Sequence, residues 1–330
     1  MSLVADALQP FLVKGLINQK RPSGMTLADL IGRQETIGFD LDFDNINKSI
    51  CFDFRDARDI VGSVASDISR LASASFQTIR SIPNEFTEKE AIPWAVIRTY
   101  YAAFYAGQAL IRLFGESCSY FDREHIARIS ELGKICDKTP EFRLTKSVYH
   151  CVLNDATTAI DCKSLREGAG GAHETFWNVF GIRINRISED ILSGSLSGTE
   201  AQAVFSKMNN LYQCIRSRGA PLHSWLSVVR NEVQYRHNHG VWLPCAIGRR
   251  ERQQLGRLVN QWTRDPMDID VGLVTAGSLG EFAVACAFIV ALCRSLLTRI
   301  AERSPIEGRS FAKLGPLALI GNAKVAILRQ

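Results

Sequence analysis

The sequence has no Cys-x-x-Cys pair, no His-Glu-x-x-His run and no Gly-Lys-Ser/Thr step. The first absence argues against a zinc ribbon or a dithiol redox centre, the second against a zinc hydrolase, and the third against a nucleotide-binding phosphate loop. Nine cysteines, at 51, 118, 136, 151, 162, 214, 245, 286 and 293, are odd in number and mostly stand in apolar surroundings. That is the usage of reduced intracellular thiols, not of a disulfide scaffold. His125, His150, His173 and His223 lack the spacing of a metal set. Neither a metal nor a cofactor is expected.

Long apolar runs are also missing. Phe282 to Cys293, at 12 residues, is the longest, short of the roughly 20 that span a bilayer. The first residues carry Asp6 and Pro10 and lack the basic start and continuous apolar core of a secretory leader. The expectation is a cytoplasmic protein with no membrane partner. Charge is nearly balanced, 39 basic against 34 acidic residues, and a net +5 permits a polyanionic partner without demanding one. No internal repeat or low-complexity segment is present, and 46% apolar residues suffice for a substantial core.

The residues that are there predict a mainly α chain. Thr36 to Phe43 alternates apolar and acidic, Asp44-Asn45-Ile46-Asn47 interrupts, and Ser49 to Phe54 resumes. This reads as a small β-hairpin region in residues 1–56. From Asp56 the period becomes three and four, through Ile60, Val61, Val64, Ile68, Leu71, Ala72, Phe76 and Ile79, and Pro83 closes a long amphipathic helix. Pro93 opens a second helix, Trp94 to Gly115, apolar on nearly every side and suited to the centre of a bundle. Further helices are expected near 123–132, 173–192, 201–216, 221–238 and 281–303. Residues 57–303 form the helical domain, 241–279 a polar, arginine-rich insert within it, and 304–330 a tail that could add a strand or pack on the bundle. "REGAGGAHE", Arg166 to Glu174, reads as a turn capping the His173 helix.

Arg230 to His239, "RNEVQYRHNH", crowds arginine, asparagine and histidine beside an apolar stripe of Leu222, Trp225, Leu226, Val229 and Val233. Seven helical residues turn ~700°, so Arg230 and His237 would share a face about 10 Å apart along the axis. Downstream, Arg249, Arg250, Arg252, Arg257 and Arg264 are flanked by Trp242 and Trp262. Basic groups interleaved with aromatics can hold a phosphate backbone and stack bases. Leu255, Leu258, Val259 and Trp262 would equally make this a surface helix facing the core.

An arginine, a polar residue and then a histidine on a late helix, with the aromatic "YYAAFYA" of residues 100–106 earlier, resembles the HEPN superfamily over roughly 57–303. The resemblance implies a dimerising helical bundle and a metal-independent endoribonuclease acting as a toxin or antiphage effector. By that resemblance Arg230, Asn231 and His237 would be catalytic. Arg230 would hold the scissile phosphate, Asn231 would orient neighbouring polar groups, and His237 would move the proton of the attacking 2′-hydroxyl to give a 2′,3′-cyclic phosphate. Arg236, His239, Arg249, Arg250 and Arg252 would contact RNA. The partners implied are RNA, a second copy of the chain, and an antitoxin or defence-system protein. His239 stands where many toxin members carry a modifiable tyrosine, so control by that modification is not expected. Two other readings stay open. Arg230 could pair with Glu232 or another acid while His237 complements the helix dipole, or the bundle could be a non-catalytic scaffold or a nucleic-acid- or nucleotide-binding subunit of a larger defence complex.

Overall fold

In the computed structural model, residues 2–32, 38–165, 171–194, 196–216, 223–272, 277–306 and 308–321 are described. Helix takes 64% and strand 11%, so the chain is mainly α, with one small five-stranded antiparallel sheet. Along the chain, α1 (Leu3–Leu8) and α2 (Leu27–Gly32) precede the hairpin β1 (Phe39–Asp44) and β2 (Ser49–Phe54). The hairpin follows from its alternation: Phe39, Leu41 and Phe43 turn inward and Asp40 and Asp42 outward. Its turn is set by the Asp44 carboxylate, which accepts from the Ile46 and Asn47 amides at 2.9 Å.

The hairpin is only part of the sheet. After it come α3 (Ala57–Ile79), α4 (Ile82–Glu85), α5 (Ile92–Leu113), β3 (Glu116–Phe121), α6 (Arg123–Ile135), β4 (Ser147–Leu153) and β5 (Ala159–Leu165). The strand order is β1-β2-β5-β4-β3, so β2 pairs with a strand from far along the chain, Cys51 opposite Asp161. Strands β3 to β5 were not foreseen. In β3 the inward residues are Ser117, Ser119 and Phe121 while Tyr120 faces out, which inverts the usual pattern. The two buried hydroxyls are 3.1 Å apart and within hydrogen-bond reach of each other.

The helices then follow as α7 (Gly171–Leu192), α8 (Gly198–Arg216), α9 (Trp225–Arg236), α10 (Arg249–Asn260), α11 (Gly277–Arg303), α12 (Phe311–Leu314) and α13 (Ala318–Gly321). Central α5 packs against α3, α9 and α11, as its all-round apolarity requires. Ala102, Ala103, Ala106 and Ala109 are fully buried and keep its neighbours close, and the Ser75 hydroxyl of α3 donates to Ala102 O at 2.8 Å. An ion pair lies inside: Asp67 of α3 and Arg112 of α5, 3.4 Å apart with side chains 3% and 8% exposed. By length and composition α11 could cross a membrane, yet 83% of its most apolar stretch is buried in the protein.

The segment 241–279 contains α10, whose Leu255, Val259 and the following Trp262 are buried, so it packs as an arginine-bearing surface helix. Of the tail, α12 packs on α3 and α11 and α13 on α3, with Phe311 buried. Leu222, most of the glycine-rich turn (166–170) and the chain beyond 321 lie outside the described residues.

Candidate functional site at the end of helix α9

The buried stripe of α9 forms as its spacing demands. Trp225, Leu226, Val229 and Val233 are each at most 3% exposed, and burying side chains of this size is worth roughly 1.5–3 kcal/mol apiece. This fixes the roll of the helix and therefore where its polar residues point.

The helix ends one residue before His237. His237 takes a left-handed conformation, φ 52° and ψ 31°, and its N–H caps Glu232 O. His239 and Gly240 also have positive φ, at 68° and 61°. The helical arithmetic that put Arg230 and His237 on one face therefore fails at its last step. A left-handed residue reverses the chain, and histidine, with asparagine and aspartate, is among the side chains that tolerate this region.

Arg230 and His237 consequently meet different surroundings. Arg230 is 6% exposed. Its guanidinium carbon lies over the Tyr100 and Tyr101 rings, 5.1 and 5.8 Å from their centroids, a cation–π arrangement. One Nη donates to Gln234 Oε1 at 3.3 Å, and Nε is buried with no hydrogen-bond partner. Among the described residues no carboxylate pairs with Arg230. The pairing with Glu232 does not form either, because Glu232 is engaged by His239 Nε2 at 2.9 Å.

A histidine the sequence did not single out joins this cluster. His173, from α7, places Nδ1 2.8 Å from the Tyr100 hydroxyl, and Trp177 Nε1 donates to that hydroxyl at 3.0 Å. The phenol oxygen accepts from Trp177 and shares a hydrogen bond with His173 Nδ1 whose direction follows the imidazole tautomer. Burial, then the nearby Arg230 charge, pushes the His173 pKa down to about 4, and burial drives the Tyr100 phenol up to about 12. The cluster is thus a buried cation next to a neutral relay. Its parts come from α5, α7 and α9, and no local motif announces such a junction.

This chain matches no family model, no curated protein and no solved structure.

His237 itself is exposed and sits against an aromatic step. Its ring lies 5.1 Å from Trp242, tilted by 32°. Trp242 meets Trp94 at 5.8 Å, edge to face. Trp242 is anchored by its Nε1–H, which donates to Val233 O at 2.7 Å, while Trp94 is 54% exposed. Arg236, Arg249 and Arg250 are exposed and Asn231 is half-buried. His239 is half-buried between Glu232 and Ser278, whose hydroxyl is 3.4 Å from Nδ1. Arg252 is buried at 7% exposure and donates to Thr87 O at 3.4 Å. It belongs to the packing of α10, not to an open basic surface. Among the described residues no group of three or more histidine, cysteine or acidic side chains could hold a metal ion.

Proposed function

We propose that this protein binds single-stranded RNA through the surface at the end of α9. The observation that carries the proposal is the partly open aromatic step of His237, Trp242 and Trp94, next in sequence to the exposed Arg236. Unpaired bases have flat faces that stack on such rings for about 1–3 kcal/mol each, and neighbouring guanidinium groups hold the backbone. Arg249 and Arg250, exposed at the start of α10, follow Trp242 closely in sequence. An aromatic central helix crossed by a late helix carrying Arg230 supports the finer reading of a HEPN-like bundle.

Metal-free RNA cleavage is the second reading, favoured by the open position of His237. Arg230 is sunk against Tyr100 and Tyr101 while His237 is exposed, so binding is the reading the geometry supports better. The test is fluorescence anisotropy with a labelled 12-nucleotide RNA, on wild type, Trp242→Ala and Arg236→Ala. Trp242→Ala should weaken binding about tenfold, and Arg236→Ala should reduce the salt slope by about one. Equal binding by all three proteins, or none, refutes the proposal. Incubation of the same RNA in EDTA, beside His237→Ala, decides the second reading: cyclic-phosphate ends from wild type alone would establish it.

A further inference from the structure

A cavity of about 480 Å3 opens away from the α9 residues, where residues 10–14, the turn after α5, the β4–β5 turn and α7 meet. Two backbone hydrogen bonds close its walls: Val13 N–H to Leu113 O at 2.9 Å and Leu153 N–H to Gly115 O at 2.8 Å. Gly115 makes the turn between them at φ 79°, a conformation that suits glycine. The size falls within the range of small-molecule sites.

The charges around this cavity divide into those already matched and those left over. Glu116, 6% exposed, is matched: His150 Nε2 lies 2.8 Å from one oxygen and Arg183 Nε 3.3 Å from the other. Arg183 is further committed, since an Nη donates to Phe114 O at 2.9 Å. Lys14 and Arg186 also line the cavity, both exposed, and neither has an ion-pair partner among the described residues. The one unmatched carboxylate there is Asp155, also exposed. Two cations against one carboxylate leave the rim net positive. Phe11, Leu12, Val152 and Leu153 supply apolar lining.

We propose that this cavity binds a small organic anion, a phosphate or carboxylate head held by Lys14 and Arg186 on an apolar body lying against Phe11, Leu12 and Leu153. Charge-assisted hydrogen bonds to such heads are the stronger kind, and the apolar lining accounts for the body. The site is independent of the proposed RNA surface, which draws on none of these residues.

The test is calorimetric and NMR titration of the full chain with hexyl phosphate, octanoate, inorganic phosphate and hexylamine, on wild type, Arg186→Glu and Lys14→Glu. Both substituted residues are exposed and have no ion-pair partner among the described residues, so circular dichroism should match wild type. Saturable binding of hexyl phosphate or octanoate, weakened about tenfold or more by Arg186→Glu, with hexylamine and inorganic phosphate bound less well, supports the site. Binding of neither, equal binding of hexylamine, or undiminished binding by both variants overturns it.

Discussion

The His173–Tyr100–Arg230 cluster makes a prediction about acid stability. His173 titrates at about 4 in the folded chain, against an ordinary 6.5. Above pH 6.5 the imidazole is neutral in both states and contributes nothing to pH dependence. As pH falls below 6.5 the unfolded chain takes up a proton that the folded chain refuses, so stability is lost from 6.5 down to about 4 and the loss levels off below that. Between pH 7.5 and 4.5 this amounts to about 2.5 kcal/mol, or about 2 once water around the partly exposed ring is allowed for. Other carboxylates and histidines titrate in the same window, so the comparison is with His173→Gln, which cannot titrate. Urea unfolding at the two pH values should show wild type losing about 2 kcal/mol more than the variant. Equal losses, or an NMR titration of His173 above pH 6, would refute the argument. Arg230→Met should raise the His173 pKa only part of the way, because burial is the larger cause and Arg230 the second.

Three other outcomes follow from the packing. Arg112→Met removes one of two cations on buried Asp67, which keeps Arg70 at 2.9 Å and a backbone amide, and should cost about 1–3 kcal/mol in urea unfolding. Gly256→Ala places a Cβ 2.8 Å from Pro83 O; separating α10 from α4 should cost about 1–3 kcal/mol, outweighing the ~1 kcal/mol gained in helix propensity, and lower the Tm. Asp56→Ala removes the carboxylate that accepts from Arg58 N at 2.8 Å at the start of α3, and should lower the urea midpoint in the same assay.

The helices were legible because their burial is one-sided and periodic. Ile60, Val64, Ile68, Ala72, Phe76 and Ile79 are all buried on α3, and α5 is central because it is apolar all round. The hairpin was legible for the same reason at period two. Strands β3 and β4 were not, since Ser117, Ser119 and Ser147 face inward while Tyr120 and Val148 are more exposed. Their inward hydroxyls are partnered by one another, Ser147 and Ser164 at 2.7 Å, so a polar residue sits inside at little cost. At the candidate site, Trp242 and the arginines were visible as an aromatic and basic stretch. The separation of Arg230 from His237 was not, because it hangs on one left-handed residue three positions before Gly240, where the chain would more ordinarily have reversed. Nor was the approach of His173 to Tyr100, which needs α7 seated on α5.

The strand order also has a history in time. Asp161, which accepts from Cys51 Sγ across the β2–β5 pairing, lies 110 residues further along the chain. At roughly 5–20 residues per second a ribosome needs some 5 to 20 s to deliver it. Throughout that delay the nascent hairpin offers β2 as a bare edge, open to any passing strand. Asp40, Asp42 and Asp53, on its outward face, give it the charge that discourages such encounters until its partner emerges. Replacing Asp53 with valine should therefore lower the soluble yield during synthesis more than it lowers the stability of the finished protein.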